Sequence, residues 1–197
     1  MARRVRDKGW AMCAPFRLRR LSVLLCALAI PLYGATLEQM SLDDLIQKST
    51  SIVQGRAGSN RSIQDGPLIY TLYKFTVVNR WKGEPGAEME IALPGGSVGG
   101  LQQDFGGVPQ LDRGREYVVF LWKGPSGRTQ VTGFSQGLFE VVRTPEGKVT
   151  VRRKPNPDLT LAPGTGKAVE SSVIEMPLAE LVARIQRILG SGRTPSP

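Results

Sequence analysis

The strongest folding constraint in this chain is the run Leu68–Trp81, in which apolar and aromatic residues alternate with polar ones. Successive side chains of a β-strand point to opposite faces of a sheet, so this alternation is typical of a long strand with one buried face. The buried face is predicted to carry Ile69, Thr71, Tyr73, Phe75, Val77 and Trp81, with Lys74 and Arg80 on the opposite face. The chain is therefore expected to be built around a β-sheet.

Further strands are predicted along the chain, and Gly/Pro turns separate several of them. They cover Ser51–Gly58, Glu88–Leu93, Tyr117–Trp122, Thr129–Phe134, Leu138–Val142 and Lys148–Arg152. No helical period lies between these strands. We therefore predict a mainly β fold, a single small antiparallel β-barrel or sandwich (OB-like) of six to seven strands.

A short N-terminal helix and a C-terminal amphipathic helix are predicted to flank the strands. Ser41 is a good N-cap for the first, which buries Leu42, Leu45 and Ile46, and Pro177 is placed at the first turn of the second. The predicted organisation is a signal peptide at 1–35, a β-barrel domain at 36–153, a Pro/Gly-rich linker at 154–173, a C-terminal helix packing on the barrel at 174–190 and a disordered tail at 191–197.

The first 35 residues have the order of a secretory signal peptide: a basic front, the apolar run Leu21–Tyr33, and the small residues Gly34 and Ala35. A retained anchor would need about 20 apolar residues, more than this run has. A lipoprotein modified at Cys26 is an alternative to a cleaved signal peptide. Met12 is an alternative to Met1 as the first residue of the leader. We expect an exported protein, periplasmic or extracellular, with membrane contact only through the leader if it is uncleaved.

Removing this leader changes the net charge and the cysteine content, from which we infer the kinds of partner that the protein could bind. The whole chain has 26 Lys+Arg and 17 Asp+Glu. Residues 1–35 hold seven of the basic residues and one acid, so 19 and 16 remain, and we expect no nucleic-acid partner. The sequence has no histidine, and both cysteines, Cys13 and Cys26, lie in the leader. We therefore predict a disulfide-free domain with no cofactor and no metal site.

The glycine-dense segment Pro94–Arg113 has no periodicity and is long enough to be functional. Gly95–Gly99 matches the G-x-S-x-G nucleophile elbow, but that motif needs a following helix and a histidine. The first part of the segment, Pro94–Gly107, is the candidate contact surface for a protein, peptide or glycan. Backbone and amide hydrogen bonds are expected from Gly95, Gly96, Ser97, Gly99, Gly100, Gln102, Gln103 and Asp104.

Two other function classes stay open beside this non-enzymatic binding or interaction module. An extracytoplasmic hydrolase would use a Ser97–Lys pair, or two carboxylates. The candidate carboxylates are Asp104, Asp112, Glu116 and Glu140. A protease inhibitor or regulatory domain would display an exposed apolar loop or an edge strand. No catalytic residue is assigned.

Residues 42–142 carry a series of short motifs. They are Leu42–Ile46, Ile52–Gly55, Ile69–Thr71, Lys82–Gly83, Gly95–Gly100, Gly114–Leu121 and Gln136–Phe139. As an ensemble they resemble a widespread, functionally uncharacterised family of exported bacterial domains. The resemblance implies a small closed β-barrel near the OB or netrin-like (metalloproteinase-inhibitor-like) architecture, and an exported location. It assigns no residue a catalytic role, and the mature chain lacks the cysteines on which netrin-like inhibitors depend.

Overall fold

The structure is a computed structural model that describes residues 37–155, 160–169 and 173–191. The predicted signal peptide and residues 192–197 of the predicted tail lie outside the described residues. The strands are β1 Leu37–Glu38, β2 Ser51–Asp65, β3 Leu68–Lys82, β4 Glu88–Pro94, β5 Gly96–Val98, β6 Leu101–Gln103, β7 Glu116–Lys123, β8 Thr129–Val131, β9 Leu138–Arg143, β10 Val149–Arg153, β11 Thr160–Leu161, β12 Ala168–Val169 and β13 Ile174–Pro177. The helices are α1 Leu42–Lys48 and α2 Leu178–Ser191, and Phe134–Gly137 forms a 3-10 turn.

One large antiparallel sheet organises the fold, which confirms the predicted mainly β class with two helices. Its strands follow the order β13-β10-β9-β7-β2-β3-β4, and β8 pairs with the C-terminal half of β7. In the described part of the chain, no ladder of hydrogen bonds joins β13 to β4. The hydrogen-bonded sheet is therefore open, because its edge strands β13 and β4 are not paired with each other.

The alternation that predicted β3 holds from Ile69 to Val77, although Leu72 on the opposite face is also buried. Trp81 differs from the prediction, because it packs with the side chains of the two helices instead of with Tyr73 and Phe75. Ile69, Tyr73 and Phe75 are buried, while Lys74 and Arg80 are exposed. Strand β2 runs on to Asp65, well beyond the predicted end at Gly58, because β3 pairs with it along its whole length. The added residues are mostly polar and partly exposed, so they carried no apolar pattern in the sequence.

Strand β7 separates two hydrophobic cores because both of its faces are buried. Val118 and Phe120 point to a core completed by α1, α2 and the β9 residue Phe139. Val119 and Leu121 point to a second core, which is enclosed by side chains of β2, β3, β4 and β8. The period of two in β7 thus assigns alternate residues to different cores.

Motif glycines mark places where strands approach too closely for a side chain. A Cβ on Gly55 would collide with the carbonyl of Thr76 and with the ring of Phe75. A Cβ on Gly137 would collide with the carbonyl of Thr132. These two motif positions therefore serve packing.

Helix α1 begins with a capping box, as Ser41 predicted. The Ser41 Oγ accepts from the Asp44 amide at 3.0 Å, and the Asp44 carboxylate accepts from the Ser41 amide. At the other end, the Lys82 ammonium donates to the carbonyls of Ile46 and Gln47 at 2.8 and 2.9 Å. The lysine of the K-G motif thus caps the helix that precedes β2.

Helix α2 packs against α1 in the first core. Leu181 and Ile185 are fully buried there, and Arg184 donates to Asp43 of α1 at 2.7 Å. Residues 174–177 form the edge strand β13 rather than the first helical turn, so Pro177 ends a strand. An edge strand tolerates proline because one side of its backbone needs no partner.

The start of the described chain, residues 37–40, is held by a small second sheet and by one buried side-chain amide. Strand β1 pairs with β11, which pairs with β12, so the segment predicted as a Pro/Gly-rich linker contributes two short strands. The buried Gln136 side chain accepts from the Met40 amide at 2.7 Å and donates to the Glu38 carbonyl at 2.9 Å. Gln136 therefore fixes the segment that leads into α1.

Candidate interaction surface

The glycine-dense segment opens with a short β-hairpin instead of an irregular loop. Strands β5 and β6 pair around the two-residue turn Gly99–Gly100, whose φ angles are +57° and +84°. Positive φ at both central residues is the type I′ geometry that suits the twist of a hairpin, and glycine adopts it without strain. The adjacent glycines at 99 and 100 are the sequence feature from which this turn could have been predicted.

The base of the hairpin is fastened to the start of β3. The Gln103 side chain donates to the Pro67 carbonyl and accepts from the Ile69 amide, both at 2.7 Å. The Thr71 hydroxyl donates to the Gly95 carbonyl at 2.8 Å. A Cβ on Gly96 would lie only 2.5 Å from the Thr71 hydroxyl. The hairpin thus stands on a closely packed base.

The structure divides the eight predicted contact residues into two groups. Gly95, Gly96 and Gln103 form the base of the hairpin. There Gly95 and Gln103 are hydrogen-bonded within the fold, and neighbouring side chains leave no room for a Cβ on Gly96. Ser97, Gly99, Gly100, Gln102 and Asp104 are exposed, and Gln102 donates to the Asp104 carboxylate at 2.8 Å. Much of the predicted hydrogen-bonding capacity is therefore already engaged.

Apolar side chains that the sequence reasoning missed are exposed around this hairpin. Leu101, directly after the turn, is 57% exposed, and Phe105, just after β6, is 40% exposed. Leu68 lies between the two residues that Gln103 binds and is 38% exposed. We call Leu68, Leu101 and Phe105, together with the β5–β6 hairpin that carries Leu101, the hairpin surface.

Beyond the hairpin, Gly107–Asp112 crosses the second core as a strap. Leu111 is inserted into that core with 4% of its surface exposed. The Tyr117 hydroxyl accepts from the Asp112 amide at 2.9 Å, and the Tyr73 hydroxyl faces the backbone of Leu111. Burial raises the pKa of both tyrosines, and the charge of Asp112 acts in the same direction. The strap is therefore held by one apolar side chain and two phenols.

A cleft lies on each side of the strap, and Val108–Gln110 line both. The smaller, of about 170 Å³, is also lined by Gly95, Gly96 and Asp104 from the predicted site. The larger, of about 340 Å³, lies between the strap and strands β9 and β10. None of the eight predicted residues lines this larger cleft.

Three of the four candidate carboxylates, Asp112, Glu116 and Glu140, are engaged in ion pairs, and Asp104 accepts a hydrogen bond from Gln102. Glu116 accepts three hydrogen bonds from the Arg143 guanidinium, two from Nη2 and one from Nε, and a fourth from Gln54 at 2.5 Å. Glu140 is bonded to Arg115, whose guanidinium also lies 3.8 Å from Asp112. Among residues 37–155, 160–169 and 173–191, no group of three His, Cys, Asp or Glu side chains is placed to hold a metal ion.

No protein-family model, curated protein or solved structure matches this chain. The described helices include none that is both long and apolar enough to span a bilayer.

Proposed function

We propose that this chain is an exported, non-enzymatic interaction module that binds another polypeptide through the hairpin surface. The observation that carries the proposal is the exposure of Leu101 at the end of a hairpin whose base is fixed by Gln103 and Thr71. A pre-ordered segment loses little conformational entropy on binding, and exposed apolar residues on such a segment mark contact sites.

A polypeptide suits this surface better than a glycan. Sugar recognition needs free polar groups, but the Gln103 amide is bonded to β3 and Gln102 is bonded to Asp104. Leu68, Leu101 and Phe105 instead offer apolar area on a protruding element. Such a surface fits a concave apolar pocket on a partner.

The exported location is part of the proposal and rests on the leader of residues 1–35 and on the family resemblance. We also propose that the strands curl towards an OB-like barrel. Inward side chains of β2, β3, β4, β7 and β8 share one core, as barrel strands do. Residues Ala92–Pro94 of β4 and Gln130–Val131 of β8 line the same cleft, so these strands are neighbours without a ladder.

The test is capture of partners from the exported fraction by wild-type protein and by Leu101→Lys, followed by mass spectrometry. The matched control is Val78→Lys, because Val78 is 58% exposed on β3 and lies outside the hairpin surface. We expect Leu101→Lys to lose a partner that Val78→Lys retains, with circular dichroism unchanged in both. Equal capture by the two variants would refute the proposal.

A hydrolase is the second candidate, since Asp112 and Glu140 line one cleft. Both carboxylates contact Arg115, so each already has a cationic partner. Hydrolysis of a glycan or peptide panel that Glu140→Gln abolishes would establish this alternative over the interaction module.

A protease inhibitor is a special case of the interaction module, in which the partner pocket belongs to a protease. The exposed apolar hairpin is the feature that such an inhibitor requires. Inhibition of exported proteases by wild-type protein, and its loss with Leu101→Lys, would identify this case.

A further inference from the structure

The larger cleft beside the strap, which we call the strap cleft, has the dimensions of a small-ligand site. Its volume of about 340 Å³ lies within the range of pockets that hold small organic molecules. One wall is the strap, and the other is formed by β9, β10 and the residues that follow β10. The hairpin surface contributes nothing to it, so this cleft is independent of the proposed function.

Apolar groups form part of the lining. Val108 and Pro109 contribute from the strap, and Leu138 and Pro155 contribute from the opposite wall. A ligand that fills the cleft must therefore carry an apolar portion as well as polar groups, because apolar surface is best covered by apolar atoms.

Two cationic side chains line the strap cleft. Arg152 lies near the end of β10, Lys154 directly follows that strand, and both are exposed. Arg152 lies opposite Glu140 on β9 and Glu175 on β13. Within the described residues it forms no ion pair with either, while Lys154 lies 3.9 Å from Glu140.

The carboxylates of the same cleft are balanced by a different cation. Arg115 is bonded to Glu140 and lies 3.8 Å from Asp112. Arg152 is therefore the cation of this cleft that is left for a ligand, and Lys154 adds to the positive potential beside it.

A buried hydroxyl supplies an independent observation. The Oγ atom of Ser135 is buried and has no hydrogen-bond partner among the described residues, while the residue as a whole is partly exposed. Ser135 lines the strap cleft, and buried polar atoms in native proteins are nearly always bonded. Gln110 of the strap is exposed and lines the same cleft, so its amide is a second polar group available there.

We propose that the strap cleft binds a small organic carboxylate with an apolar side chain, of the kind found at the C-terminus of a peptide. The carboxylate pairs with Arg152, and arginine suits this role because its planar guanidinium matches a carboxylate with two parallel hydrogen bonds. The side chain covers Val108 and Leu138. Ser135 and Gln110 bind the peptide group that precedes the carboxylate.

The test is titration of the ¹⁵N-labelled protein with N-acetyl-alanyl-leucine, with its C-terminal amide and with inorganic phosphate. We expect the free acid to shift the amide signals of Gln110, Ser135 and Arg152, and to bind at least tenfold more tightly than the amide or phosphate. Equal binding of acid and amide, equal binding of phosphate, no binding, or shifts confined to other residues would each overturn the proposal.

Variants separate this site from the hairpin surface. Arg152→Ala is expected to weaken binding of the free acid at least tenfold, while the matched control Arg187→Ala, an exposed arginine on α2, changes it less than twofold. Leu101→Lys is expected to leave acid binding unchanged. Unchanged binding in a folded Arg152→Ala protein would refute the assignment, whatever the outcome of the partner-capture experiment.

Discussion

The hydroxyl of Tyr117 and the backbone amide of Asp112 are joined by a hydrogen bond of 2.9 Å. Tyr117 belongs to β7, which lies between the two cores, and Asp112 ends the strap. This bond therefore connects the most deeply buried strand of the sheet to the segment that lines both clefts. The geometry of the clefts depends on it.

Replacing Tyr117 with phenylalanine removes this bond and leaves the Asp112 amide without its partner. We expect the free energy of unfolding to fall by about 0.5–1.5 kcal/mol, the usual net contribution of one hydrogen bond, because Asp112 is an exposed residue. Urea denaturation measures the change. Tyr70→Phe is the control, because Tyr70 is only partly buried and its hydroxyl forms no hydrogen bond in the described part of the chain. Equal effects of the two variants would contradict the role of the bond.

The raised pKa values of Tyr73 and Tyr117 predict a loss of stability at alkaline pH. Burial is the main cause, and both folded pKa values lie above the unfolded value of about 10. The stability that the two protonated tyrosines contribute is therefore complete below pH 10. It is lost as the pH rises through their pKa values in the folded protein, because the tyrosines of the unfolded chain release their protons at a lower pH. Urea midpoints between pH 8 and 11.5 should fall above pH 10. Tyr117→Phe should flatten that fall.

Gln102 and Gln103 are neighbours on β6, but replacing each with alanine is predicted to change the stability of the protein by a different amount. Gln103→Ala removes both bonds to β3 and is expected to cost about 1–3 kcal/mol, with faster amide hydrogen exchange at Ile69 and in the hairpin. Gln102→Ala removes only an exposed bond to Asp104 and is expected to change stability by less than about 0.5 kcal/mol. The reverse order would show that the hairpin base is not held by Gln103.

Gly96 and Gly99 both have positive φ but different surroundings. Gly99→Ala introduces backbone strain alone and is expected to cost about 1–2 kcal/mol, since nothing lies within 4 Å of the added Cβ. Gly96→Ala combines strain with collisions against Thr71 and Ser62, so we expect a cost of about 3 kcal/mol or more. Thermal denaturation ranks the two, and equal melting temperatures would contradict the packed hairpin base.

The elements with a strong local pattern were those that the sequence could predict. Strand β3 followed from its alternation, and α1 followed from Ser41 and three apolar residues on one face. The second half of β2 was missed because its polar residues are recruited by pairing with β3, an interaction that no local pattern encodes.

The contact surface at Pro94–Gly107 stays a prediction, and the sequence did not reveal how its residues are packed. Glycine density singled out the segment but did not predict its hairpin, and the hydrogen bonds of Gln103 to residues at the start of β3 and the exposure of Leu101 depend on tertiary packing. The strap cleft was missed for the same reason. It brings Gln110, Ser135 and Arg152 together from three separate parts of the chain, and only the fold makes them neighbours.

The pairing of Asp43 with Arg184 has a consequence for how the chain matures. The first core needs α1, near the start of the described residues, and Leu181 and Ile185 of α2, near their end. A chain that emerges from its N-terminus cannot complete this core until α2 has emerged. Proteins truncated before residue 178 would expose the apolar face of α1 to proteases, so chains that include α2 would outlast them.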